Sequence, residues 1–543
     1  MSSLASQPLL VVDCQATLAA PRGRVIELGW AIAGAAPRAR LVKLPEGERV
    51  PRAVARITGI TDALVAGGVA PGEAWRELAE DAASLGASPA PAIAHYARFE
   101  RPLLEALAGG APTLDLACTH AIALRLFPDL PRRSLRALTG YFGRAVGELR
   151  RSAEHVAATA FVWEHLVPLL AERGVTTWAD LRAWLDEPVS RAPRSKRGWP
   201  MPRELRLALP DRPGVYRMLR TGGDVLYVGK ATSLKSRVNS YFRKQRGIHE
   251  RTLEMLSQAR DLSFEVAESP LEAALLEPDE IKRHRPPYNE ALTEVDRGVW
   301  FARPDFAERS PVATPSCVVG PFSSPALLDR LAAFGRGEAA ALGPERFGPP
   351  EVVFAEGLAR VRAAHREIGP ALDASRVLLL GARLWREGRR PRDGDDGAPD
   401  AHVGDAGPLF ARAWTAVEVA GELETLALEA ARARRRARWL TALAEATITW
   451  SEPGADGPRV LVIEGGAVVL RGPAPAGDPP SPRFSARRRA ERHAGFDVAR
   501  FDRLRVLATE LARVVGKGNP AAVRLAPRAL LTGERLGRVL GWL

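Results

Sequence analysis

The sequence predicts a multidomain protein that combines α/β and α+β domains. Three observations lead to this fold class. The chain has 543 residues, enough for about three to four domains of ordinary size. Hydrophobic residues make up 46% of it, which is enough to fill packed cores. Short β-branched runs alternate with segments of helical apolar spacing, and proline-rich stretches separate them.

We expect five parts along the chain. They are a domain at 1–175, a helical tail with a Pro/Arg-rich linker at 176–206, a small mixed α/β domain at 207–292, an extension at 293–370, and an α+β region at 371–543 with mobile loops near 386–408 and 473–489. The linker prediction rests on the proline-rich basic run at 188–204, which is typical of solvated connections.

Charge and cysteine content narrow the function classes. The net charge of +13 favours a polyanionic partner, although a general bias towards arginine accounts for it equally well. The three cysteines are far apart and form no Cys-x-x-Cys pair, so neither a disulfide framework nor a zinc site is indicated. The sequence lacks a signal peptide and an apolar run of transmembrane length, so we expect a cytoplasmic protein with no membrane association.

The first domain opens with two predicted strands, at residues 9–13 and 25–32. Gly-Ile-Thr follows at 59–61, and His-Tyr-Ala-Arg-Phe-Glu at 95–100. Over about residues 7–170 these segments resemble the DEDD exonuclease family, the proofreading branch. The resemblance implies a ribonuclease-H-like sheet. It also implies two metal ions held by four carboxylates, with a histidine that activates water.

The metal-binding set of that family is incomplete here. Asp13 is kept, but Gln15 stands where the first motif has Glu, and Glu100 stands where the second has Asp. In the third motif Arg150 occupies the place of the histidine, and His155 that of the last Asp. An amide and an imidazole in place of two carboxylates leave too little negative charge for two divalent ions. We expect a domain that has lost its chemistry; the alternative is a 3′-to-5′ exonuclease with a shifted metal site of Asp13, Glu100 and His155.

The middle of the chain predicts a hairpin followed by two helices. The strands are Val215-Tyr216 and 225–228, joined by a turn at 221–224. Ser233 is a suitable N-cap for a helix over 234–242. A second helix is predicted over about 270–283, and the stretch closes at Asn289.

Six ordered features of this stretch resemble the GIY-YIG endonuclease family, in particular the N-terminal nuclease of bacterial excinuclease C proteins. They are Gly214-Val215-Tyr216, Tyr227-Val228-Gly229, Lys230, Arg237, Glu277 and Asn289. In order and with family-like spacing over about eighty residues, they form a specific signature.

The chemistry of phosphodiester hydrolysis explains these residue types. A tyrosine, either Tyr216 or Tyr227, would act as general base, and Lys230, three residues after Tyr227, is expected to take its proton. The planar guanidinium of Arg237 can donate two parallel hydrogen bonds to the scissile phosphate. Glu277 supplies a hard oxygen to a divalent ion, Mg²⁺ or Mn²⁺.

Pro278 directly follows Glu277 and predicts a kink that alters the direction of the glutamate. This feature favours an alternative function, a DNA-binding scaffold without catalysis. A similar choice concerns the linker, where Trp199 and the arginines are either solvated or in contact with DNA.

The C-terminal half carries no recognisable chemistry. Gly-Pro-Phe-Ser-Ser at 320–324 resembles the segment that follows the nuclease in excinuclease C proteins. Beyond it we predict a helix over 422–445, a β-meander at 447–451, 460–463 and 467–470, a helix at 497–515, a strand at 522–525 and a helix at 528–543.

The resemblance implies a metal-dependent endonuclease that incises one strand of damaged double-stranded DNA in nucleotide excision repair. Its partners would be the damage-recognition and helicase subunits of the excision system.

Overall fold

The computed structural model describes most of the chain, and every structural statement below refers to its described residues. These are 3–19, 22–110, 114–145, 147–188, 198–243, 248–289, 298–343, 348–366, 374–389, 414–452, 457–477, 481–482, 496–526 and 529–541. Within these ranges, no helix combines the length and the apolar content needed to cross a lipid bilayer.

The N-terminal domain is a five-stranded mixed sheet with helices on both faces. Its strands are β1 (Leu10–Ala16), β2 (Val25–Ile32), β3 (Arg38–Leu41), β4 (Ala90–Ala94) and β5 (Leu114–Cys118). Its helices are α1 (Arg52–Thr58), α2 (Asp62–Ala66), α3 (Pro71–Ser84), α4 (Ala97–Ala108), α5 (Thr119–Leu126), α6 (Leu135–Tyr141), α7 (Ser152–Ala171) and α8 (Trp178–Asp186). The strand order is β3-β2-β1-β4-β5; β1 to β3 are antiparallel, and β4 and β5 run parallel to β1.

Alternating residues around β1 build two cores. Leu9 and Val11 pack with α5 and α7 on one face, and Leu10 and Val12 pack with α3 and α4 on the other. Successive side chains of a strand point to opposite faces of the sheet, so neighbouring residues of β1 enter different cores. The two strands predicted for this domain are confirmed, and Asp13 lies on the strand that both cores hold in place.

The middle domain is built on a three-stranded antiparallel sheet of order β7-β6-β8. Its elements are α9 (Arg203–Leu207), β6 (Gly214–Leu219), β7 (Val225–Ala231), α10 (Leu234–Tyr241), α11 (Glu250–Gln258), β8 (Asp261–Val266) and α12 (Pro270–His284). The predicted hairpin and both predicted helices are confirmed. Ser233 caps α10 as expected, because its hydroxyl accepts the N–H of Ser236 at 3.1 Å. The sequence did not predict α11 and β8.

Helix α12 does not end at Pro278. It continues for six residues beyond the proline, to His284. Pro278 removes one N–H donor from the helix. Buried residues on both sides of it, Leu275 and Ile281, pack against neighbouring elements and offset that loss.

The end of the linker packs against the middle domain. Residues 189–197 lie outside the described part of the chain. Trp199 contacts Phe242 edge-on, with ring centroids 5.3 Å apart, and Met201 is buried in the same core. The expectation of a solvated linker is therefore wrong for these two residues, since apolar burial against the sheet outweighs solvation.

The remaining chain forms a helical unit and a second sheet. The elements are β9 (Trp300–Ala302), β10 (Arg309–Ser310), β11 (Val319–Phe322), α13 (Pro325–Arg336), a 3₁₀ turn (Ala339–Leu342), α14 (Glu351–Ala364), α15 (Ala374–Arg386), α16 (Ala416–Leu443), β12 (Ala446–Trp450), β13 (Arg459–Glu464), β14 (Ala467–Pro473), α17 (Val498–Gly516), β15 (Ala521–Ala526), β16 (Ala529–Thr532) and α18 (Gly533–Leu540). The sheet orders are β10-β9-β11 and β14-β13-β12-β15-β16.

Most of this region follows the predictions. The β-meander is present as β12 to β14, and the predicted helix and strand at 497–525 are α17 and β15. The helix predicted over 528–543 is wrong at its start, because residues 529–532 pair with β15 as a strand. Cross-strand pairing there outweighs local helix propensity. Residues 390–413, 478–480 and 483–495, which cover most of the two predicted mobile loops, lie outside the described residues.

Polar contacts join the N-terminal and middle domains along α6 and α11. Arg132 pairs with Glu250 at 3.0 Å, and Arg136 pairs with Glu254 at 3.4 Å. The hydroxyl of Ser257 accepts the backbone N–H of Arg132 at 2.9 Å. These contacts fix the relative position of the two domains.

Replacing Gly140 with alanine should destabilise the protein by about 1–3 kcal/mol, because this interface has no room for a Cβ. That atom would lie 1.8 Å from the side-chain oxygen of Gln258. Gln258 cannot move aside freely, because it bonds Arg220 at 3.0 Å and the hydroxyl of Tyr288 at 2.5 Å. Urea unfolding checks this, with Gly147→Ala, which meets no atom within 4 Å, as the neutral control. Equal stability of the two variants would contradict the expected overlap.

Candidate active site

The edge strand β7 is held by two residues of the predicted motif. The amide of Asn289 accepts the N–H of Val228 at 2.9 Å and donates to its carbonyl at 2.9 Å. Glu277 accepts the N–H of Lys230 at 3.0 Å. Edge strands leave such groups unpaired unless side chains or water satisfy them. Asn289 and Glu277 are therefore fixed against the strand that carries Tyr227.

Three tyrosines meet beside this strand. Tyr216, Tyr227 and Tyr241 have ring centroids 6.2–6.3 Å apart, and the hydroxyls of Tyr216 and Tyr241 are 2.8 Å apart. Gly229 makes the cluster possible, since a Cβ there would lie 2.5 Å from the Tyr216 hydroxyl. Tyr241 was not among the residues predicted for the site. Its position four residues after Arg237 on one helix, which places both on the same face, was the available signal.

Burial and mutual proximity control the ionisation of this cluster. Burial, followed by the neighbouring phenols, raises the pKa of both Tyr216 and Tyr227. Both phenols are therefore neutral near pH 7. The Arg237 guanidinium lies 5.0 Å from the Tyr241 ring centroid. Partial burial opposes its charged form, but Tyr216 and Tyr241 outweigh this and raise the pKa of Arg237. Arg237 is exposed, so it presents a permanent positive charge to solvent.

Glu277 has the chemistry of a divalent-ion ligand. Burial raises its pKa, and the nearby Lys230 opposes that shift. Among the described residues, the N–H of Lys230 is the one hydrogen-bond donor to this carboxylate. The second carboxylate oxygen is thus free for a hard cation, which needs one or two carboxylates when water and phosphate complete its shell. The residues present fit such an ion.

The position of Lys230 differs from the expectation. Side chains three residues apart on a strand point to opposite faces, so Lys230 faces away from the Tyr227 phenol. Val228, on the same face as Lys230, packs with Ile281 of α12. The Lys230 ammonium instead pairs with Glu510 of α17 at 2.5 Å. Direct proton transfer from Tyr227 to Lys230 is therefore not supported by this geometry.

The residues of the second candidate site also converge. His155 Nδ1 lies 3.1 Å from one oxygen of Asp13, and the Gln15 amide donates to the other at 3.0 Å. Glu100 accepts the backbone N–H of Cys14 at 2.8 Å. Asp13, Glu100 and His155 line one cavity of about 1060 Å³, together with Arg150.

The charges of this cavity do not suit a pair of divalent ions. Burial and the neighbouring Asp13 raise the pKa of Glu100, which favours its neutral form. Burial opposes protonation of His155, but its contact with Asp13 outweighs this and raises its pKa. In the described part of the chain, no three His, Cys, Asp or Glu side chains are arranged to hold a metal ion. The donor set therefore does not fit the two-ion site of the DEDD family.

Comparisons with known proteins find similarity in both domains. The UvrC-like GIY-YIG domain family matches residues 212–290. The UvrABC system protein C of Psychrobacter sp. is 54% identical over 86 residues, which is 16% of this chain and 14% of that relative. The crystal structure of the N-terminal endonuclease domain of UvrC from Thermotoga maritima is 36% identical, covering 16% of this chain and 93% of that one with a TM-score of 0.15. Exonuclease X in complex with duplex DNA is 21% identical, covering 33% of this chain and 99% of that one with a TM-score of 0.25.

One relative matches nearly the whole chain. The Mycobacterium tuberculosis protein named "Putative bifunctional exonuclease/endonuclease protein MT2247" is 30% identical over 604 residues, covering 99% of this chain and 88% of that relative. The similarity includes the exonuclease-like domain, the GIY-YIG domain and the C-terminal region. The chain belongs to the family of this mycobacterial exonuclease/endonuclease protein, and it is a phosphodiester-hydrolysing endonuclease whose UvrC-like GIY-YIG domain follows an exonuclease-like domain.

Proposed function

We propose that the protein makes a single-strand incision in damaged double-stranded DNA, as part of nucleotide excision repair. The observation that carries this proposal is the convergence of the tyrosine cluster, Arg237 and Glu277 at one edge of the β7 strand. These groups supply a base, a counter-charge for the phosphate and a metal ligand, the three requirements of phosphodiester hydrolysis.

Of the two candidate bases, Tyr227 is favoured over Tyr216. Tyr216 is 0% exposed, so its hydroxyl cannot contact an attacking water at the DNA backbone. Tyr227 is only partly buried, and its ring lies beside that of Tyr241, whose hydroxyl is 2.8 Å from that of Tyr216. In this scheme Tyr227 accepts a proton from water as its own proton passes to the neighbouring Tyr241, and Tyr241, which is partly exposed, releases its hydroxyl proton to solvent water. The raised pKa values of Tyr216 and Tyr227 favour proton transfer between neutral phenols over a tyrosine that is ionised before the reaction.

In this proposal Arg237 and Glu277 both act on the scissile phosphate. The exposed guanidinium of Arg237 donates hydrogen bonds to the non-bridging phosphate oxygens, whose negative charge grows in the transition state. Glu277 would hold Mg²⁺ or Mn²⁺, which when bound neutralises charge on the phosphate and on the leaving oxygen. Asn289 positions the strand by bonding the backbone of Val228.

The repair context rests on the likeness of residues 212–290 to UvrC. We therefore place this protein with the damage-recognition and helicase subunits of an excision system, which would load it on damaged DNA. The net charge of +13 suits the polyanionic substrate.

The experiment uses a duplex with one bulky lesion, labelled separately at both ends of the damaged strand, in Mg²⁺ with and without the loading subunits. One incision in the damaged strand that depends on those subunits is the expected result. No incision under any condition would favour a non-catalytic scaffold. Equal incision of undamaged duplex would reject the repair role but leave the nuclease.

For the N-terminal domain we propose a fold without hydrolysis, because Gln15, Arg150 and His155 leave a poor metal site. A 3′-to-5′ exonuclease is the second candidate, favoured by the cavity that Asp13 and Glu100 share. We expect no trimming of 3′-labelled single-stranded DNA in Mg²⁺ or Mn²⁺, and nicking by Asp13→Ala within about twofold of wild type. Trimming by wild type that Asp13→Ala abolishes would establish the second candidate.

A further inference from the structure

The C-terminal region shares a core with the endonuclease domain. Leu271 and Leu275 of α12 are buried in the same apolar cluster as Leu507 and Leu511 of α17. Glu277 lies on α12 and Glu510 lies on α17. Burial of a continuous apolar surface is the main stabilising contribution in such docking. The two helices are therefore parts of one packed unit.

Two buried ion pairs cross the same interface. Lys282 of α12 pairs with Asp502 of α17 at 3.3 Å, with side chains 11% and 3% exposed. Arg459 of β13 pairs with Glu272 of α12 at 2.7 Å, with side chains 14% and 6% exposed. Separating α12 from the C-terminal region would leave buried charges without partners, which is strongly unfavourable. This arrangement fits a permanent contact rather than a movable flap over the nuclease centre.

Glu510 reaches the nuclease centre from this fixed helix. One carboxylate oxygen accepts the Lys230 ammonium at 2.5 Å, and the other accepts Arg513 at 2.6 Å. Arg513 also bonds Glu452 at 3.1 Å. Burial disfavours ionised Glu510, but the hydrogen bonds from Lys230 and Arg513 outweigh it and lower its pKa. Glu510 is thus an oriented negative charge whose two oxygens are both engaged.

Without that carboxylate, Lys230 would have another acceptor within reach. The Glu277 carboxylate already bonds the backbone N–H of Lys230. A lysine has a flexible four-carbon stem, so its ammonium can rotate towards an anion bound to its own backbone. An ammonium on Glu277 would compete with a divalent ion for the oxygen left free.

We propose that Glu510 is a positioning residue of the endonuclease: it holds the Lys230 ammonium away from Glu277 and so keeps that carboxylate available to the divalent ion. This inference rests on the proposed metal-binding role of Glu277. It gives the C-terminal region a part in the nuclease centre, a role that could not be assigned from the sequence.

Direct Mn²⁺ binding to the full-length protein tests the proposal without relying on activity. Free Mn²⁺ is followed by electron paramagnetic resonance during titration. Glu510→Gln should weaken Mn²⁺ binding about 10-fold, in the range found for residues that orient a metal ligand. Lys230→Met in the same chain should restore wild-type affinity, because the competing ammonium is gone.

The controls separate positioning from general damage. Glu272→Gln removes a buried ion-pair carboxylate from the same interface and should leave the Mn²⁺ affinity unchanged. Weak binding by Glu510→Gln that Lys230→Met fails to restore would overturn the proposal, as would wild-type binding by Glu510→Gln. Glu277→Gln tests the proposed ligand separately: wild-type Mn²⁺ affinity in that variant would reject Glu277 as the ligand, whatever Glu510 does.

Discussion

Glu277→Gln should lower the rate of DNA nicking about 10³-fold and leave DNA affinity within about twofold of wild type. Glutamine has the shape of glutamate and can still accept the Lys230 N–H, which glutamate accepts at 3.0 Å. The local fold should therefore persist. What is lost is the negative charge, and a hard divalent ion binds a neutral amide oxygen much more weakly than a carboxylate. The loss should appear in kcat, because the ion acts on charge that develops in the transition state.

Asp279→Asn is the matched control for this variant. Asp279 lies two residues further along α12, is about half exposed, and pairs with Arg503 at 2.9 Å. Its replacement removes the same charge from the same helix without touching the edge strand, so nicking should stay near the wild-type rate. Single-turnover nicking of supercoiled plasmid measures the chemical step, and filter binding measures affinity. Wild-type nicking by Glu277→Gln would remove Glu277 from the mechanism.

The parts of the centre that follow from local sequence were predictable. The hairpin of β6 and β7 and the start of α10 at Ser233 depend on residues close in sequence. Tyr241 was missed because it belongs to neither signature triplet, although its spacing from Arg237 contains the information. From sequence, two motif residues can be placed on the same face only when they lie on one helix or one strand. Contacts between residues on different elements do not follow from sequence order.

Long-range partners could not be predicted. Glu510 is 280 residues from Lys230, and no local pattern links them. The prediction that Lys230 assists Tyr227 used their closeness in sequence and ignored that odd spacings on a strand point to opposite faces. In the N-terminal domain the substituted motif positions could be predicted from motif spacing. The contacts of both Asp13 carboxylate oxygens, with His155 and Gln15, could be seen only in the structure.

The net charge of +13 predicted a polyanionic partner, but composition does not say which arginine contacts the phosphate. The structure favours Arg237, because it is exposed and its guanidinium still lies over the Tyr241 ring of the tyrosine cluster. Its neighbour on the same helix, Lys235, is also exposed. On a helix, residues two positions apart point in different directions, so only one of these two cations can aim at the phenols. The comparison between them distinguishes transition-state stabilisation from general attraction to DNA.

Arg237→Ala should lower kcat for nicking about 10³-fold, a loss similar to that of other preorganised charges in phosphoryl chemistry. The guanidinium lies over the Tyr241 ring, 5.0 Å from its centroid, so it is oriented before DNA binds. Arg237→Lys keeps the positive charge but cannot donate two parallel hydrogen bonds to the phosphate. Its kcat should therefore reach only about one tenth of the wild-type value. Lys235→Met should change salt-dependent affinity and leave kcat near wild type. Equal kcat values for Arg237→Ala and Lys235→Met would show that Arg237 contributes only general electrostatic attraction.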